Sequence, residues 1–383
     1  MRLGWRRIFA GIVAATVVCL TSAQPARGQT APAERPLMAE EVFKNVQVFK
    51  GVPVDQFMGA MGYFSNALSA NCTYCHVGDG GGGWAPYAED VPAKRMARQM
   101  VLMMNGINRT YFGGRRVVTC VSCHNGANRP KVAMSMAAVY GTAPTDEPDQ
   151  IPKQTPGSPS ADQVLDRYVQ ALGGAGRLAA LTSFTATGTY LGYAEADKRP
   201  VEIFAKSPNQ RTTIIRSPEG NTTTTYDGRV GWIAMPESDT PVPLRPMTGG
   251  ELEGARLDVD VSFPARVKQA LGNWRGAFPT TIEDRDVLVV QGTSASGSSV
   301  KLYFDAETAL LVRLLRYTDT PVGPNPTQID YADYRDVAGV KMPFRWNVTW
   351  QSGRSTFELT DMRPNAAIAP TAFARPAAPA PAR

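Results

Sequence analysis

The chain has 383 residues, of which 43% are hydrophobic, and this fraction excludes a wholly disordered protein. Its length favours two folded domains over one. The formal net charge is +6 at pH 7, but three of the arginines lie within the first seven residues, so the charge gives no support to nucleic-acid binding.

The N-terminus has the pattern of an export signal. Its arginines precede a short apolar run over residues 8–20, and the small residues Thr21, Ser22 and Ala23 follow. The run is too short to span a bilayer comfortably, and no later stretch is long and apolar enough to do so. We expect cleavage near Ala23, with an uncleaved anchor as the alternative, and hence a periplasmic or cell-surface protein whose mature form has no transmembrane span.

Composition and periodicity change along the rest of the chain. Apolar residues recur at helical spacing over 38–50, 54–68 and 92–107, and a capping box at Ser160 and Gln163 starts another helix. The fold class is therefore α+β, with a helical domain followed by a mostly antiparallel β domain. We predict a signal peptide over 1–23, a flexible segment over 24–36, a helical domain over 37–140, a Pro-rich linker over 141–160, a β-rich domain over 161–370 and a disordered tail over 371–383.

The β-rich domain is read from short β-branched and aromatic runs with a period of two. Asp227 and Gly228 predict a hairpin turn, and residues 264–271 predict one interrupting helix. The predicted strands cover 184–191, 201–205, 212–216, 230–234, 286–292, 300–304, 309–317 and 342–350.

The helical domain contains two C-x-x-C-H sequences, which are the attachment signature of c-type haem. Two thiols one helical turn apart can each form a thioether with one porphyrin, and the histidine that follows can bind the iron. Without the signal peptide, every cysteine and both histidines of the chain lie in these sequences. The predicted cofactors are two covalently bound haems, held by Cys72, Cys75 and His76 and by Cys120, Cys123 and His124.

Two other sites were weighed for these cysteines. A zinc site built from four thiolates needs the cysteines but not the two histidines. A thiol redox enzyme needs a thioredoxin-like βαβ context, which the pattern around the motifs does not provide. Haem attachment explains all six residues.

No histidine is left over for the sixth position of either iron. That ligand is therefore methionine or a weaker donor, unless the position is open. Methionine at helical spacing is otherwise ordinary core filler. The candidates in the helical domain are Met58, Met61, Met96, Met100, Met103 and Met104.

Residues 42–135 resemble the multihaem cytochrome subunit of photosynthetic reaction centres. The resemblance rests on the segments 45–51, 61–72, 97–100, 107–108 and 118–120. It implies that a methionine on the helix before each C-x-x-C-H is the sixth ligand, namely Met61 for the first haem and Met100 for the second. Met58 and Met104 are the alternatives. The best-known members carry four haems, one with a histidine sixth ligand, whereas this sequence has two motifs and no further histidine.

Basic residues are concentrated around the second motif. Residues 94–131 contain no acid, so the cations are predicted either to neutralise haem propionates or to form a docking face for an acidic redox partner. The eight residues are Lys94, Arg95, Arg98, Arg109, Arg115, Arg116, Arg129 and Lys131.

The β-rich domain resembles the half-barrel of LolA-like periplasmic lipoprotein carriers. The resemblance rests on residues 226–232, 302–305 and 333–343. It implies an apolar concavity able to hold acyl chains, with a structural or docking module as the alternative.

The sequence therefore predicts an electron-transfer protein rather than an enzyme, which exchanges electrons with redox partners such as a small cytochrome or a photosynthetic reaction centre. A dihaem peroxidase is the enzymatic alternative, but it needs an open iron and distal acid–base residues, and no histidine is free to serve. A lipid-binding protein with an accessory haem domain is the third class.

Overall fold

The structure is a computed structural model that describes residues 35–78, 83–130, 132–133, 154–193, 195–236, 240–351 and 353–379. These residues belong to one compact unit that begins at Arg35. The predicted signal peptide, the predicted flexible segment up to residue 34 and the predicted linker up to residue 153 lie outside the described residues.

The described residues 35–133, here called the helical region, contain four α-helices: α1 (Ala39–Val42), α2 (Val54–Leu68), α3 (Pro92–Phe112) and α4 (Cys120–His124). Helix α2 has the predicted bounds, and α3 continues beyond the prediction until Gly113 adopts φ +61°. The predicted helix over 38–50 is wrong after Val42, because Phe43 is extended and Asn45 has φ +61°.

Four further helices accompany the strands: α5 (Ala161–Ala171), α6 (Ala175–Ala180), α7 (Gly249–Ser262) and α8 (Val267–Ala270). The capping box of α5 is confirmed, because Ser160 Oγ accepts from Gln163 N at 3.2 Å and Gln163 Oε1 accepts from Ser160 N at 2.8 Å. The predicted single helix over 264–271 is a 3₁₀ turn (Pro264–Arg266) followed by α8.

Thirteen strands form one antiparallel sheet in the described part of the chain, in the order β6-β5-β4-β3-β2-β1-β13-β12-β11-β10-β9-β8-β7. The predicted antiparallel character is confirmed, and no pairing of the outer strands β6 and β7 closes the sheet within the described residues. The strands are β1 (Ser183–Leu191), β2 (Arg199–Lys206), β3 (Gln210–Ile215), β4 (Thr222–Tyr226), β5 (Gly231–Ala234), β6 (Leu244–Pro246), β7 (Gly272–Ile282), β8 (Arg285–Thr293), β9 (Ser299–Asp305), β10 (Leu311–Thr320), β11 (Gly323–Val337), β12 (Val340–Trp350) and β13 (Gly353–Pro364).

The main core lies between this sheet and helices α5, α6 and α7. Leu165 and Tyr168 of α5 and Leu257 of α7 pack with inward side chains of the strands, among them Ile203 and Phe304. Burial alternates along β2, as a strand with one buried face requires, whereas five consecutive residues of β9 are buried because a smaller cluster of Val287, Val289, Tyr303 and Leu315 covers further side chains of β8, β9 and β10.

A second core joins the helical region to the sheet. Val322, at the turn between β10 and β11, is 0% exposed and packs with Ala60 and Tyr63 of α2 and with Val101 and Met104 of α3. The β10–β11 hairpin therefore inserts its tip between two helices, and the apolar area it buries there stabilises both parts.

Glycines let α2 approach the sheet closely. A Cβ added at Gly59 would lie 3.0 Å from Thr320 Cγ2, and one added at Gly62 would lie 2.5 Å from Gln351 Nε2. On the same face, Asn325 Nδ2 donates to Gly59 O at 2.9 Å. This hydrogen bond and the close approach of the α2 backbone together hold α2 against the sheet.

The C-terminal stretch differs from the prediction of a disordered tail over 371–383. It is described up to residue 379, Phe373 is 2% exposed, and Thr212 Oγ1 donates to Ala372 O at 2.7 Å. The Arg375 guanidinium lies 4.5 Å from the ring centre of Trp232. One buried aromatic residue and a cation–π contact anchor a segment whose composition alone indicated disorder. Among the described helices, none is both long and apolar enough to cross a membrane.

Candidate functional site

The first C-x-x-C-H sequence forms a single tight turn. A 3₁₀ helix covers Cys72–Tyr74, and the amides of Cys75 and His76 donate to Cys72 O at 3.2 and 2.9 Å. This turn puts the two cysteines on one short stretch of backbone with Cys72 exposed and Cys75 half-buried, and neither forms a disulfide. Burial raises the pKa of the Cys75 thiol.

The His76 ring is oriented by Tyr87. Its Nδ1 lies 3.0 Å from Tyr87 O, and the two rings stack with centroids 4.7 Å apart. With the Nδ1 hydrogen donated to this carbonyl, Nε2 is the nitrogen left for a metal, which is the usual arrangement of a ligating histidine. Burial lowers the pKa of His76, which favours the neutral ring that ligation needs.

Lys94, at the start of α3, supports the same carbonyl. Its Nζ donates to Tyr87 O at 2.5 Å and to Glu89 O at 2.6 Å. The turn that orients His76 is thereby tied to the helix that carries Met100.

The second C-x-x-C-H sequence is helix α4 itself. Thr119 caps it, with Thr119 N donating to Ser122 Oγ at 3.0 Å. His124 Nδ1 lies 3.0 Å from Ala127 O, so its Nε2 is again the nitrogen left for a metal. Cys123 is exposed, whereas Cys120 packs against the second core and burial raises its pKa to about 11.

The two motifs lie beside each other. Tyr74, inside the first motif, donates its phenol hydrogen to Asn128 Oδ1 at 3.0 Å. Ser69 Oγ donates to Gly126 O at 2.6 Å, and Gly126 N donates to Ala67 O at 3.1 Å. Segments about fifty residues apart in sequence thus form one continuous surface.

Helix α3 presents a row of apolar side chains that the rest of the described chain leaves largely uncovered. Met96, Met103 and Tyr111 are 55%, 48% and 77% exposed, and Met100 is half-buried among them. Spacings of four, three and eight residues place all four on one side of a helix. Such an exposed apolar row indicates a contact with another group.

The methionines of α2 and α3 divide into two kinds. Met58 is 38% exposed, and Met61 is half-buried at the edge of the second core. Met104 differs, because it is 4% exposed and packs inside the second core. Its position is that of core filler, whereas Met61 and Met100 remain accessible to a ligand.

These features fit haem. Each motif supplies two unpaired thiols and a histidine whose Nδ1 is held by a carbonyl, and an exposed apolar row that includes a methionine lies on α3 before the second motif. Zinc fits less well, because the described residues contain no group of three or more histidine, cysteine or acidic side chains placed to hold a metal.

The predicted basic cluster is partly neutralised by acids from outside it. Arg98 and Arg95 pair with Asp90, and Arg116 Nη1 lies 3.5 Å from Asp319 Oδ1. Val91 is the cap residue of α3, and the Asp90 carboxylate before it binds these arginines. Arg109, Arg115 and Arg129 are exposed, and Lys131 lies outside the described residues.

The sequence analysis assigns no role to Asn108, whose side chain binds the backbone just before the second motif. Its side chain is 5% exposed, with Nδ2 donating to Val118 O at 2.7 Å and Oδ1 accepting from Val117 N and Val118 N at 3.0 and 2.9 Å. Asparagine is common in loops and turns, so its type alone did not indicate a buried clamp.

The sheet encloses a cavity of about 190 Å³ under α7. Its wall is mainly apolar, with Trp346 and Phe357 stacked at 5.1 Å between ring centres. The Arg211 guanidinium also lines the cavity. Two hydrogen bonds hold it there, because Arg211 Nη1 donates to Asp258 O and to Ser262 Oγ, both at 3.3 Å.

Solved structures that resemble the chain include a LolA superfamily protein from Nitrosomonas europaea, 16% identical, which covers 56% of this chain and 97% of its own with a TM-score of 0.39. A DUF1329 family protein from Desulfovibrio piger is 10% identical and covers 57% of this chain and 98% of its own with a TM-score of 0.40. LolA is the group that the C-terminal sequence was predicted to resemble. At these scores the likenesses carry no argument about what the cavity binds.

The family described as photosynthetic reaction centre cytochrome C subunit matches residues 13–155. The photosynthetic reaction center cytochrome c subunit of Thermochromatium tepidum is 34% identical over 113 residues, which are 28% of this chain and 26% of that protein. The subunit of Rubrivivax gelatinosus is 35% identical over 94 residues, 21% of this chain and 26% of its own. The chain therefore spans about a quarter of the length of these curated relatives, and over that part it is similar to reaction-centre cytochrome c subunits, as its sequence predicted.

Proposed function

We propose that the protein is a dihaem c-type cytochrome that carries electrons between redox partners at the periplasm or the cell surface. The observation that carries this proposal is the repeated arrangement in which His76 Nδ1 and His124 Nδ1 each lie 3.0 Å from a backbone carbonyl beside two unpaired thiols. When bound, each haem supplies an iron that changes between the ferrous and ferric states.

The residues of the chain hold and orient the two groups. Cys72 and Cys75 would attach the first and Cys120 and Cys123 the second, as thioethers. His76 Nε2 and His124 Nε2 would bind the two irons. Met61 and Met100 would supply the sixth ligands, and thioether sulfur would raise the potential of the iron relative to a second histidine.

The proposed role is electron transfer and not catalysis. A peroxidase needs an open iron position and a distal acid–base group. Both histidines of the sequence are committed to the motifs, and each sixth position has an accessible methionine on the preceding helix. Reversible carbon monoxide binding to the reduced protein, with a rapid shift of one Soret band, would favour the enzyme instead.

We propose that the protein is exported and that it exchanges electrons with other proteins outside the cytoplasm. A signal peptide over 1–23 would deliver the chain to the compartment where c-type haem is attached. The similarity to reaction-centre subunits makes a photosynthetic reaction centre one proposed partner and a small cytochrome another. The exposed Arg109, Arg115 and Arg129 would attract an acidic surface on that partner.

The test of the proposed function is the mass and redox behaviour of the exported full-length protein. We expect a mass increase of two haems that survives boiling in detergent, and a reversible titration of two irons. Cys72→Ala with Cys75→Ala should remove one haem and leave the second in place, and Cys120→Ala with Cys123→Ala should do the converse. A mass without porphyrin, or attachment that is independent of both cysteine pairs, would contradict the proposal.

A second function is supported by the cavity of about 190 Å³ under α7. Its wall is mainly apolar and carries one arginine and one aspartate, Arg211 and Asp258, so it suits a ligand with an apolar chain and a polar end that Arg211 can bind, such as a fatty acid. Displacement of an apolar dye from the full-length protein by palmitate would support this function. Val348→Trp, which narrows the cavity, should abolish displacement, whereas Lys206→Trp on the exposed side of β2 should not. Absence of displacement in the unchanged protein would leave the sheet a structural or docking module.

A further inference from the structure

Asn108 connects the end of α3 to the segment that leads into α4. Its side chain makes hydrogen bonds to both polar backbone groups of Val118 and to the amide of Val117, at 2.7 to 3.0 Å. Its own carbonyl accepts from Gly114 N at 3.0 Å. Asn108 therefore takes part in the C-terminal hydrogen bonds of α3 through its carbonyl and binds residues 117–118, beyond the turn, through its side chain.

The two elements that Asn108 joins carry the two proposed axial ligands of one haem. Met100 lies eight residues earlier on α3, which is about 12 Å along the helix axis. Val118 lies two residues before Cys120, where the second motif begins. The intervening Gly113 and Gly114 have φ +61° and +81°, so this part of the turn lacks side chains that could fix its course.

We infer that Asn108 is the positioning residue that sets Met100 Sδ at bonding distance from the iron held by His124. This inference rests on the proposed function. The amide suits the task because it donates to one carbonyl and accepts from two amides at once. Without it, the two polar backbone groups of Val118 and the amide of Val117 lose the partner that the buried side chain of Asn108 provides, and the segment must shift to reach others.

The experiment compares Asn108→Leu and Asn108→Asp with Asn66→Leu in full-length protein. Leucine has similar size and forms no hydrogen bond, and aspartate keeps the two acceptor bonds but loses the donor. Asn66, whose Nδ2 donates to Gln351 O at 3.1 Å, is a matched control because it ties α2 to the sheet and not α3 to α4. The readouts are the number of attached haems by mass, the weak far-red absorption of methionine-ligated ferric haem, and the two midpoint potentials.

We expect Asn108→Leu to retain two haems, to lose half of the far-red absorption, and to lower one midpoint potential while the other stays. Asn108→Asp should show the same change to a smaller extent, and Asn66→Leu should show neither. Loss of thermal stability with full far-red absorption and both potentials unchanged would overturn the positioning role and leave Asn108 a structural residue. Absence of far-red absorption in the unchanged protein would overturn the proposed methionine ligation itself, so the two failures are distinguishable.

Discussion

The phenol oxygen of Tyr63 lies 3.0 Å from the hydroxyl oxygen of Thr119, and this bond joins the middle of α2 to the cap of α4. The phenol end of the same ring lies against the sheet, because a Cβ added at Gly323 would lie 2.3 Å from Tyr63 Cζ. Burial raises the pKa of Tyr63, so the neutral phenol is the donor. A single side chain thus connects the β10–β11 hairpin, α2 and the second C-x-x-C-H motif.

Gly323→Ala should destabilise the protein by about 3 kcal/mol, because the new methyl group overlaps the Tyr63 ring and φ is +155° at this residue. Tyr63→Phe removes only the hydrogen bond and should cost about 1 kcal/mol. Denaturant unfolding measures both values. Gly106→Ala is the control, because a Cβ there meets nothing within 4 Å and the residue is within α3, so this change should stabilise by up to about 1 kcal/mol. A Gly323→Ala protein as stable as the parent would contradict the close contact.

Met100→Ala and Met104→Ala should have opposite consequences. Met104 is 4% exposed in the second core, so its truncation should cost about 3 kcal/mol of stability and leave the far-red absorption intact. Met100 is accessible, so its truncation should change stability little and remove half of that absorption. Optical spectra and denaturant unfolding of the two variants decide the assignment. If Met104→Ala alone lost the absorption, the ligand of the second haem would be Met104.

Low pH should weaken the ion pair between Asp90 and Arg98 at the start of α3. The Arg98 guanidinium donates to Asp90, and this hydrogen bond holds the pKa of Asp90 below its ordinary value. The ion pair therefore contributes its full stability above the carboxyl pKa of the unfolded chain, about 4, and loses it as the pH falls through the lower pKa of the folded state. Asp90→Asn should lower the unfolding midpoint at neutral pH and make no difference in strong acid.

Urea unfolding at a series of pH values measures this dependence. Glu89→Gln is the matched control, because it removes one negative charge from the same end of the helix without touching the Asp90–Arg98 pair. A difference between Asp90→Asn and the parent that persists unchanged into strong acid would assign the effect to something other than the charge of Asp90.

Val322→Ala should destabilise the helical region and the sheet together. Val322 is 0% exposed between α2 and α3, and the loss of two methyl groups should cost about 2 kcal/mol. Haem absorption reports on the helical region and tryptophan fluorescence chiefly on the sheet. Both transitions should move to lower denaturant by the same amount. A shift confined to fluorescence would mean that the hairpin tip does not support the helices.

The sequence predicted best what depends on neighbours along the chain. Helix α2 follows from apolar spacing within fifteen residues, and the capping box of α5 from two residues three apart. The C-x-x-C-H turns are equally local, because one turn of backbone brings the thiols together. The similarity to known cytochromes lies in this same local part of the chain.

Elements without a strong apolar pattern were missed. Strand β4 contains four consecutive threonines, and β11 contains Pro324 and Pro326, which read as turn residues. Helix α7 contains three glycines, at positions 249, 250 and 254, and has a weak apolar stripe. Contacts with neighbouring strands and with the core stabilise these elements although their local sequences do not favour them. Those contacts involve residues far away in the chain, so a local sequence pattern does not reveal them.

The contacts between distant segments could not be predicted from the sequence either. Val322 and Tyr63 are about 260 residues apart, and nothing in either segment indicates that they meet. The same holds for Asn108, whose three partners lie across a turn that apolar periodicity does not describe. The site residues of haem attachment stay predictions until the mass and the potentials are measured.

Val322, at the tip of the β10–β11 hairpin, determines whether the helical region can be separated from the sheet as an independent fragment. Without the sheet, the cytochrome-like segment would have a hole between its two long helices and would expose a glycine-lined face to water. In this chain the matching segment is packed on the sheet and is not a detachable module. Electron-transfer measurements on an excised helical fragment would therefore report on a damaged protein, and any exchange of the sheet for another domain would have to supply a substitute for Val322.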